Sequence, residues 1–239
     1  MSGHSVARAL PTDPTPWSTF LDEKGQRLLT IRAADCDGSR SSAHYLVKRM
    51  YAQRGYTTSS LPDHSNPNRI TLLASDGGDA IGTISINFEG PSGLLVDESF
   101  AAEVKQLRDE GFTLCEFIKL AVDGVVQSKK VLASLMDAAF LCAREVKRCD
   151  KALIEVNPRH VRFYESMLGF KVLTRDRMNH RVNAPAVLMS LDLDFADEQV
   201  EEAHHADPTP ASGKRSLYCH GFSPEERSGL VNRLRHSYS

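Results

Sequence analysis

The sequence has no excess of charge of either sign: 31 acidic side chains stand against 29 basic ones, a formal charge of −2 over 239 residues. That disfavours a dedicated nucleic-acid binder, which needs a basic surface to meet phosphate. No apolar run approaches the ~20 residues of a membrane span, and the first residues hold no apolar signal-peptide core. Five cysteines, an odd number with no C-x-x-C pair, argue against a disulfide framework and for free thiols in a reducing compartment. His204-His205 and Cys219-His220 are ligand-type residues, but their spacing matches no regular zinc pattern. No serine has the local context of a nucleophile elbow, no cluster suggests a redox cofactor, and no internal repeat is present. What remains is an ordinary globular composition, 41% hydrophobic and 25% charged. A chain of this length buries about two-thirds of its unfolded surface and needs no staple. A soluble, cytoplasmic protein is expected.

Residues 1–25 hold Pro11, Pro14 and Pro16 among small polar residues and read as a loose N-terminal tail, with Trp17, Phe20 and Leu21 its only anchors. After Phe195 the composition turns acidic, then proline-rich, then basic, so residues 196–239 read as a C-terminal tail. Within it Ser223-Pro224-Glu225-Glu226 looks like a helix start, with serine as cap and glutamate three residues later. That helix is expected to be a weakly held appendage. Between the tails, residues 26–195 alternate in period. Strands are predicted at Leu28 to Ile31, Ile70 to Ser75, Ala80 to Phe88, Thr113 to Val122, Ala152 to Val156, Lys171 to Arg177 and Ala186 to Asp194. Helices are predicted around Leu46 to Tyr51, at Asp97 to Glu110, from Val131 to Val146, and from Pro158 to Leu168 with Gly169 closing it. The sum is one α/β domain with a mixed central sheet flanked by helices.

The segment Ala152-Leu-Ile-Glu-Val-Asn157-Pro-Arg-His-Val-Arg-Phe-Tyr164-Glu-Ser-Met-Leu-Gly169-Phe170 resembles the end of the GCN5-related N-acyltransferase fold. There a strand leads to Asn, a helix carries an aromatic-Tyr pair, and Gly-Phe opens the next strand. Tyr51-Ala-Gln-Arg-Gly55-Tyr56, the strand with Gly82-Thr83, and Cys115-Glu116-Phe-Ile-Lys119-Leu-Ala-Val are similar to the long-chain N-acyl amino acid synthases. Those are relatives of the acyl-homoserine-lactone synthases, and both draw an acyl chain from acyl carrier protein. The chain departs from the family at Lys119, where an arginine is usual, and at Ser85, where a basic residue is common. Lysine keeps the charge but loses the forked grip on a carboxylate.

The resemblance implies an acyl-phosphopantetheine thioester as co-substrate, with no tightly bound cofactor, lying beside Leu120, Ala121 and Val122. Backbone N–H groups there are the natural oxyanion donors. Glu116, flanked by Cys115, Phe117 and Ile118, is a carboxylate in apolar surroundings, which must be paired or shift its pKa upward. It is the expected proton acceptor for the amine; a solvent-facing residue at a strand start is the plain alternative. Lys119 is a candidate for the acceptor's carboxylate, but three positions along an ideal strand it points to the other face. A bulge or splay is required. Tyr164 is placed to protonate the departing thiolate or, alternatively, to fill the core. Asn157, counted with the substrate-binding residues, reads equally as a helix cap.

Coenzyme-A-using members of the fold carry small residues in a loop after the central strand that cradles the pyrophosphate. Here the corresponding run is Gln127-Ser-Lys-Lys130-Val-Leu132, with bulky residues at both small positions. A carrier protein presents a single phosphate, which Ser128, Lys129, Lys130 and Arg159 are candidates to meet. The expected partners are therefore acyl carrier protein and an amino acid or other small amine, with membrane-surface association through a lipid-like product. The alternatives are an acetyl-coenzyme-A-dependent N-acetyltransferase and a non-catalytic lipid- or partner-binding module.

Overall fold

The computed structural model describes residues 16–22, 24–56, 66–124, 128–205 and 216–238. Strands β1 (Ser18–Leu21), β2 (Leu28–Ala33), β3 (Arg69–Asp76), β4 (Asp79–Phe88) and β5 (Leu114–Val122) follow one another antiparallel. The β3–β4 turn is tight because Gly77 and Gly78 both take positive φ, 56° and 102°. Helix α3 (Lys129–Lys147) then carries the chain to β6 (Lys151–Val156), which lies parallel to β5. Beyond β6 lies β9 (Ala184–Asp192), with the short β7 (Lys171–Val172) and β8 (Arg177–Asn179) paired to it. The predicted strand from Lys171 to Arg177 is thus two fragments separated by an exposed turn. The predicted last strand ends at Asp192, where Leu193 already belongs to a helix.

The sheet is covered differently on its two faces. On one, α3 packs so closely that a Cβ on Gly82 would lie 2.7 Å from Leu135 Cδ1, which is why β4 has glycine there. On the other, α1 (Asp37–Ala52) sets Leu46, Val47 and Met50 over Ala121, and α2 (Asp97–Asp109) sets Phe100 and Val104 over Leu114, Leu153 and Leu188. A 3-10 turn at Pro158–His160 and helix α4 (Val161–Leu168) follow β6.

The described parts of the two tails expected from the sequence belong to this core. β1 lies inside the 1–25 stretch, and its Phe20 is buried. Helix α5 (Leu193–His205), a 3-10 turn at Tyr218–His220 and helix α6 (Pro224–Tyr238) wrap the α3 side. Leu217, Phe222, Leu230 and Leu234 are buried there, and full burial of such a side chain stabilises by about 1.5–3 kcal/mol. The appendage reading fails on that ground. The capping box is present: Glu226 N–H donates to Ser223 Oγ and Ser223 N–H to Glu226 Oε2, at 3.2 and 2.7 Å. His204 Nε2 meets the Phe222 carbonyl at 2.9 Å. Among the described residues no group of three His, Cys, Asp or Glu is arranged to hold a metal, and no helix is long and apolar enough to cross a membrane.

Candidate active site

β5 and β6 pair only from Leu114 to Glu116 and from Lys151 to Leu153. Beyond that point β5 keeps its hydrogen bonds to β4 but, among the described residues, has no strand partner on the β6 side, while β6 continues along β9. The two strands part, and half-buried Leu120, Val122 and Val156 stand on the diverging segments. β5 is irregular here as well. Thr83 pairs with Ala121 but Ser85 with Ile118, so the single residue Ile84 faces both Lys119 and Leu120. Lys119 takes φ 54°, a left-handed conformation that costs a non-glycine residue roughly 1–3 kcal/mol. This is the bulge the sequence requires if Lys119 is to share a face with Glu116.

Glu116 is fully buried at the last paired position. Its Oε1 accepts from Asn87 Nδ2 at 2.7 Å and from the Leu95 N–H at 2.6 Å, and its Oε2 from the Val96 N–H at 3.0 Å. Val96 is the N-cap of α2 and offers no side-chain cap of its own. A carboxylate from a distant strand therefore holds the turn that leads into α2, near the end of the helix where negative charge is favoured. Burial pushes its pKa up, and those hydrogen bonds with the nearby Arg181 pull it partly back. Three of about four lone-pair sites are thus taken by internal donors.

Cations gather on the same face. Arg69 Nη2 donates to Asn87 Oδ1 at 3.2 Å. Arg181, in the turn between β8 and β9, donates to the Leu95 carbonyl at 2.6 Å and pairs with both Glu98 and Glu155. Lys119 is partly buried, and its pKa is lowered to about 8, first by loss of water and then by the fields of Arg69 and Arg181.

The opening has an aromatic side. Tyr164 on α4 is half-buried, its ring 5.3 Å from Phe163 and 5.7 Å from Phe170. Burial raises its pKa, as does neighbouring Tyr51; Tyr51 itself is pushed up to about 12 by burial. Asn157 caps the 3-10 turn, its Oδ1 accepting from the Arg159 N–H at 3.2 Å, and its Nδ2 reaches the Pro185 carbonyl at 3.3 Å. Arg159 Nη2 meets Tyr56 Oη at 3.0 Å, with the guanidinium over that ring. This contact ties the end of α1 to the start of the turn before α4.

The run expected to meet a phosphate divides. Ser128 caps α3, its Oγ accepting from the Val131 N–H at 3.3 Å, and Lys129 is exposed. Lys130 turns away: its ammonium donates to the Gly221 carbonyl at 2.5 Å and lies 5.6 Å from the Phe20 ring centroid. The expectation that Lys130 reaches a ligand is corrected by that contact, which commits its charge to the C-terminal segment. Gln127 lies outside the described residues.

A family model for the N-acyl amino acid synthase FeeM matches residues 42–192. The chain belongs to the FeeM N-acyl amino acid synthase family. The structure of FeeM, an N-acyl amino acid synthase from uncultured soil microbes, is 28% identical, with a TM-score of 0.63 over 71% of this chain and 93% of that one. Two more distant structures share the fold. ElaA of Escherichia coli is 10% identical, TM-score 0.52, over 69% of this chain and 99% of its own. The acyl-homoserine-lactone synthase LasI is 11% identical, TM-score 0.50, over 70% and 91%. Among curated proteins no match is found. As a member of the FeeM family the chain is an N-acyltransferase that uses an acyl thioester. Asn87, Arg69, Arg181 and Glu155 were missed by the sequence reading. Glu155 alone had a signal: a carboxylate inside the apolar strand Ala152-Leu-Ile-Glu-Val.

Proposed function

We propose that the protein transfers a medium or long acyl chain from acyl carrier protein to the amino group of an amino acid. The observation that carries this reading is the parting of β5 and β6 beside a desolvated cation. The half-buried apolar residues on the diverging segments suit a pantetheine arm and the start of an acyl chain. Those backbone N–H groups of the Leu120-Ala121-Val122 segment that alternation turns toward the β6 side are the oxyanion donors. Lys119 suits an acceptor's carboxylate. Glu116 fixes the Leu95-Val96 turn and contributes its buried charge, while Tyr164 is the proton donor to the departing thiolate. A carrier protein fits better than coenzyme A because Lys130 and Leu132 fill the positions where a pyrophosphate cradle needs small residues, and Ser128 already occupies one N–H donor of α3. Lys129 and Arg159 are the candidates for a single phosphate or an acidic carrier surface.

The test is acyl transfer by purified protein from long-chain acyl carrier protein, long-chain acyl-coenzyme A and acetyl-coenzyme A to a set of amino acids, read by mass spectrometry. N-acyl amino acids formed preferentially from the carrier-bound chain are expected. Saturable acetyl transfer with no carrier-dependent product would replace this reading with that of an acetyltransferase.

A further inference from the structure

Glu155 stands two residues past Leu153, the last β6 residue paired with β5, where the strands part. Alternation along β6 puts it on the α2 face of the sheet with Leu153, and its β9 neighbour Leu188 lies there too. Its side chain is 7% exposed, and its Oε2 pairs with Arg181. Oε1 is buried and accepts no hydrogen bond from any described residue. Asn179 and Ser99 lie near enough to favour the charged form without closing a bond to Oε1. A buried acceptor left unmade costs about 1–3 kcal/mol, and in a native fold it calls for an explanation. Glu116, the other carboxylate here, already receives three hydrogen bonds.

We infer that Oε1 of Glu155 receives the ammonium of the acceptor and takes its proton, with the cations Lys119 and Arg69 on the same face meeting the acceptor's negative end. A buried acceptor atom and two cations on one sheet face suit an acceptor that carries both an ammonium and a negative group. This rests on the amine-acceptor reading above. The step balances: the ammonium gives one proton to the Glu155 carboxylate, and the neutral amine bonds to the thioester carbonyl carbon. The C–S bond then breaks, Tyr164 gives its proton to the departing sulfur, and the second nitrogen proton restores Tyr164. The proton on Glu155 passes to water before the next turnover. The groups facing Glu155 are Arg181 from the turn before β9, Glu116 from β5, Asn179 from β8, Ser99 from α2 and, through Arg181, Glu98 of α2. Burial is the main influence on its pKa and raises it, which strengthens it as a base.

The experiment compares wild type, Glu155→Gln and Glu155→Asp with a long-chain acyl carrier protein as donor. The acceptors are α-amino acids and a weakly basic amine that is already neutral at the assay pH. Glu155→Gln should lower kcat/KM for α-amino acids by about 10²–10⁴-fold. It should leave the donor's KM and the melting temperature near wild type, and keep transfer to the neutral amine within a few-fold. Wild-type activity should fall as pH drops through the Glu155 pKa; this limb should move in Glu155→Asp and vanish in Glu155→Gln. A folded Glu155→Gln protein that still acylates amino acids, or that loses both acceptors equally, overturns the inference. Should Glu155→Gln not fold, an Asp variant whose pH limb matches wild type overturns it equally. Wild type that transfers to no amine overturns the acceptor reading and this inference together, and is recognised by the absence of a wild-type product.

Discussion

Asp137 and Glu155 are both buried carboxylates beside an arginine, one on α3 under the C-terminal helices and the other where β5 and β6 part. Asp137 has a partner for each oxygen: Oδ1 pairs with Arg227 and Oδ2 accepts the Phe222 N–H at 3.0 Å. Arg227 goes on to Asp197 at 3.0 Å, and Asp197 to Arg144 at 3.2 Å, so the charges on this side close on one another. Glu155 has one oxygen paired and one not. Around it the backbone is also irregular, with a bulge, a left-handed lysine and an interrupted strand pairing. The carboxylate that only has to hold the fold together is paired at both oxygens. The strained geometry lies alongside the carboxylate that is paired at one. Strain and unmet polar groups coinciding is the pattern expected of a site that waits for a substrate.

The comparison breaks most readily at Asp137. Asp137→Ala leaves Arg227 buried beside Asp197 alone and removes the acceptor of the Phe222 N–H. Removing one partner of a buried pair costs about 3–5 kcal/mol. Chemical denaturation should show a loss of that size, while acyl transfer per folded molecule stays at the wild-type level. A fall in turnover that outruns the unfolded fraction would mean that the C-terminal side takes part in the reaction after all.

Lys119 tests the other region through pH. Its folded pKa of about 8 lies below the ordinary value of 10.5. A depressed lysine contributes stability that is present above 10.5 and lost as pH falls toward 8, so the charged ammonium is held at a cost to folding. If that cation grips the acceptor's carboxylate, the acceptor's KM should rise as pH climbs past about 8, by up to roughly tenfold per unit. Lys119→Arg should abolish that rise, because a guanidinium does not titrate there. A KM that stays flat in the wild type would remove Lys119 from acceptor binding.

Much of the sheet was legible because its signals are local. The glycine pair of the β3–β4 turn, the Ser223–Glu226 capping box and the glycine after Leu168 each act over a few residues. The docking of α6 was not, since Leu230 and Leu234 reveal an apolar face without revealing what covers it. Phe20 was legible as an anchor, but the prolines before it hid the strand it lies in, a four-residue edge strand of the sheet. Within the site, Glu116 was found by its setting, but its part in holding the turn before α2 was not. Its donors at Leu95 and Val96 lie 21 and 20 residues away, and no spacing rule connects a strand carboxylate to another helix's N-terminus. Lys119 posed the clearer question, because alternation alone demanded a bulge that its own residue type gives no hint of.

Ser128 carries the smallest expected effect and sharpens the comparison most finely, since it sits at the edge of the opening with its polar contact complete. Its Oγ accepts from the Val131 N–H, so Ser128→Ala should cost about 1 kcal/mol as a lost helix cap. For a protein of this size that is a fall of about 2–4 °C in Tm. If completed contacts mark structural groups, the variant should show that fall and an unchanged KM for acyl carrier protein. A weaker donor KM at unchanged Tm would make the hydroxyl a phosphate ligand that caps α3 only until the carrier arrives. Ser128 would then stand with Glu155, and hydrogen-bond completion alone would no longer separate the two regions.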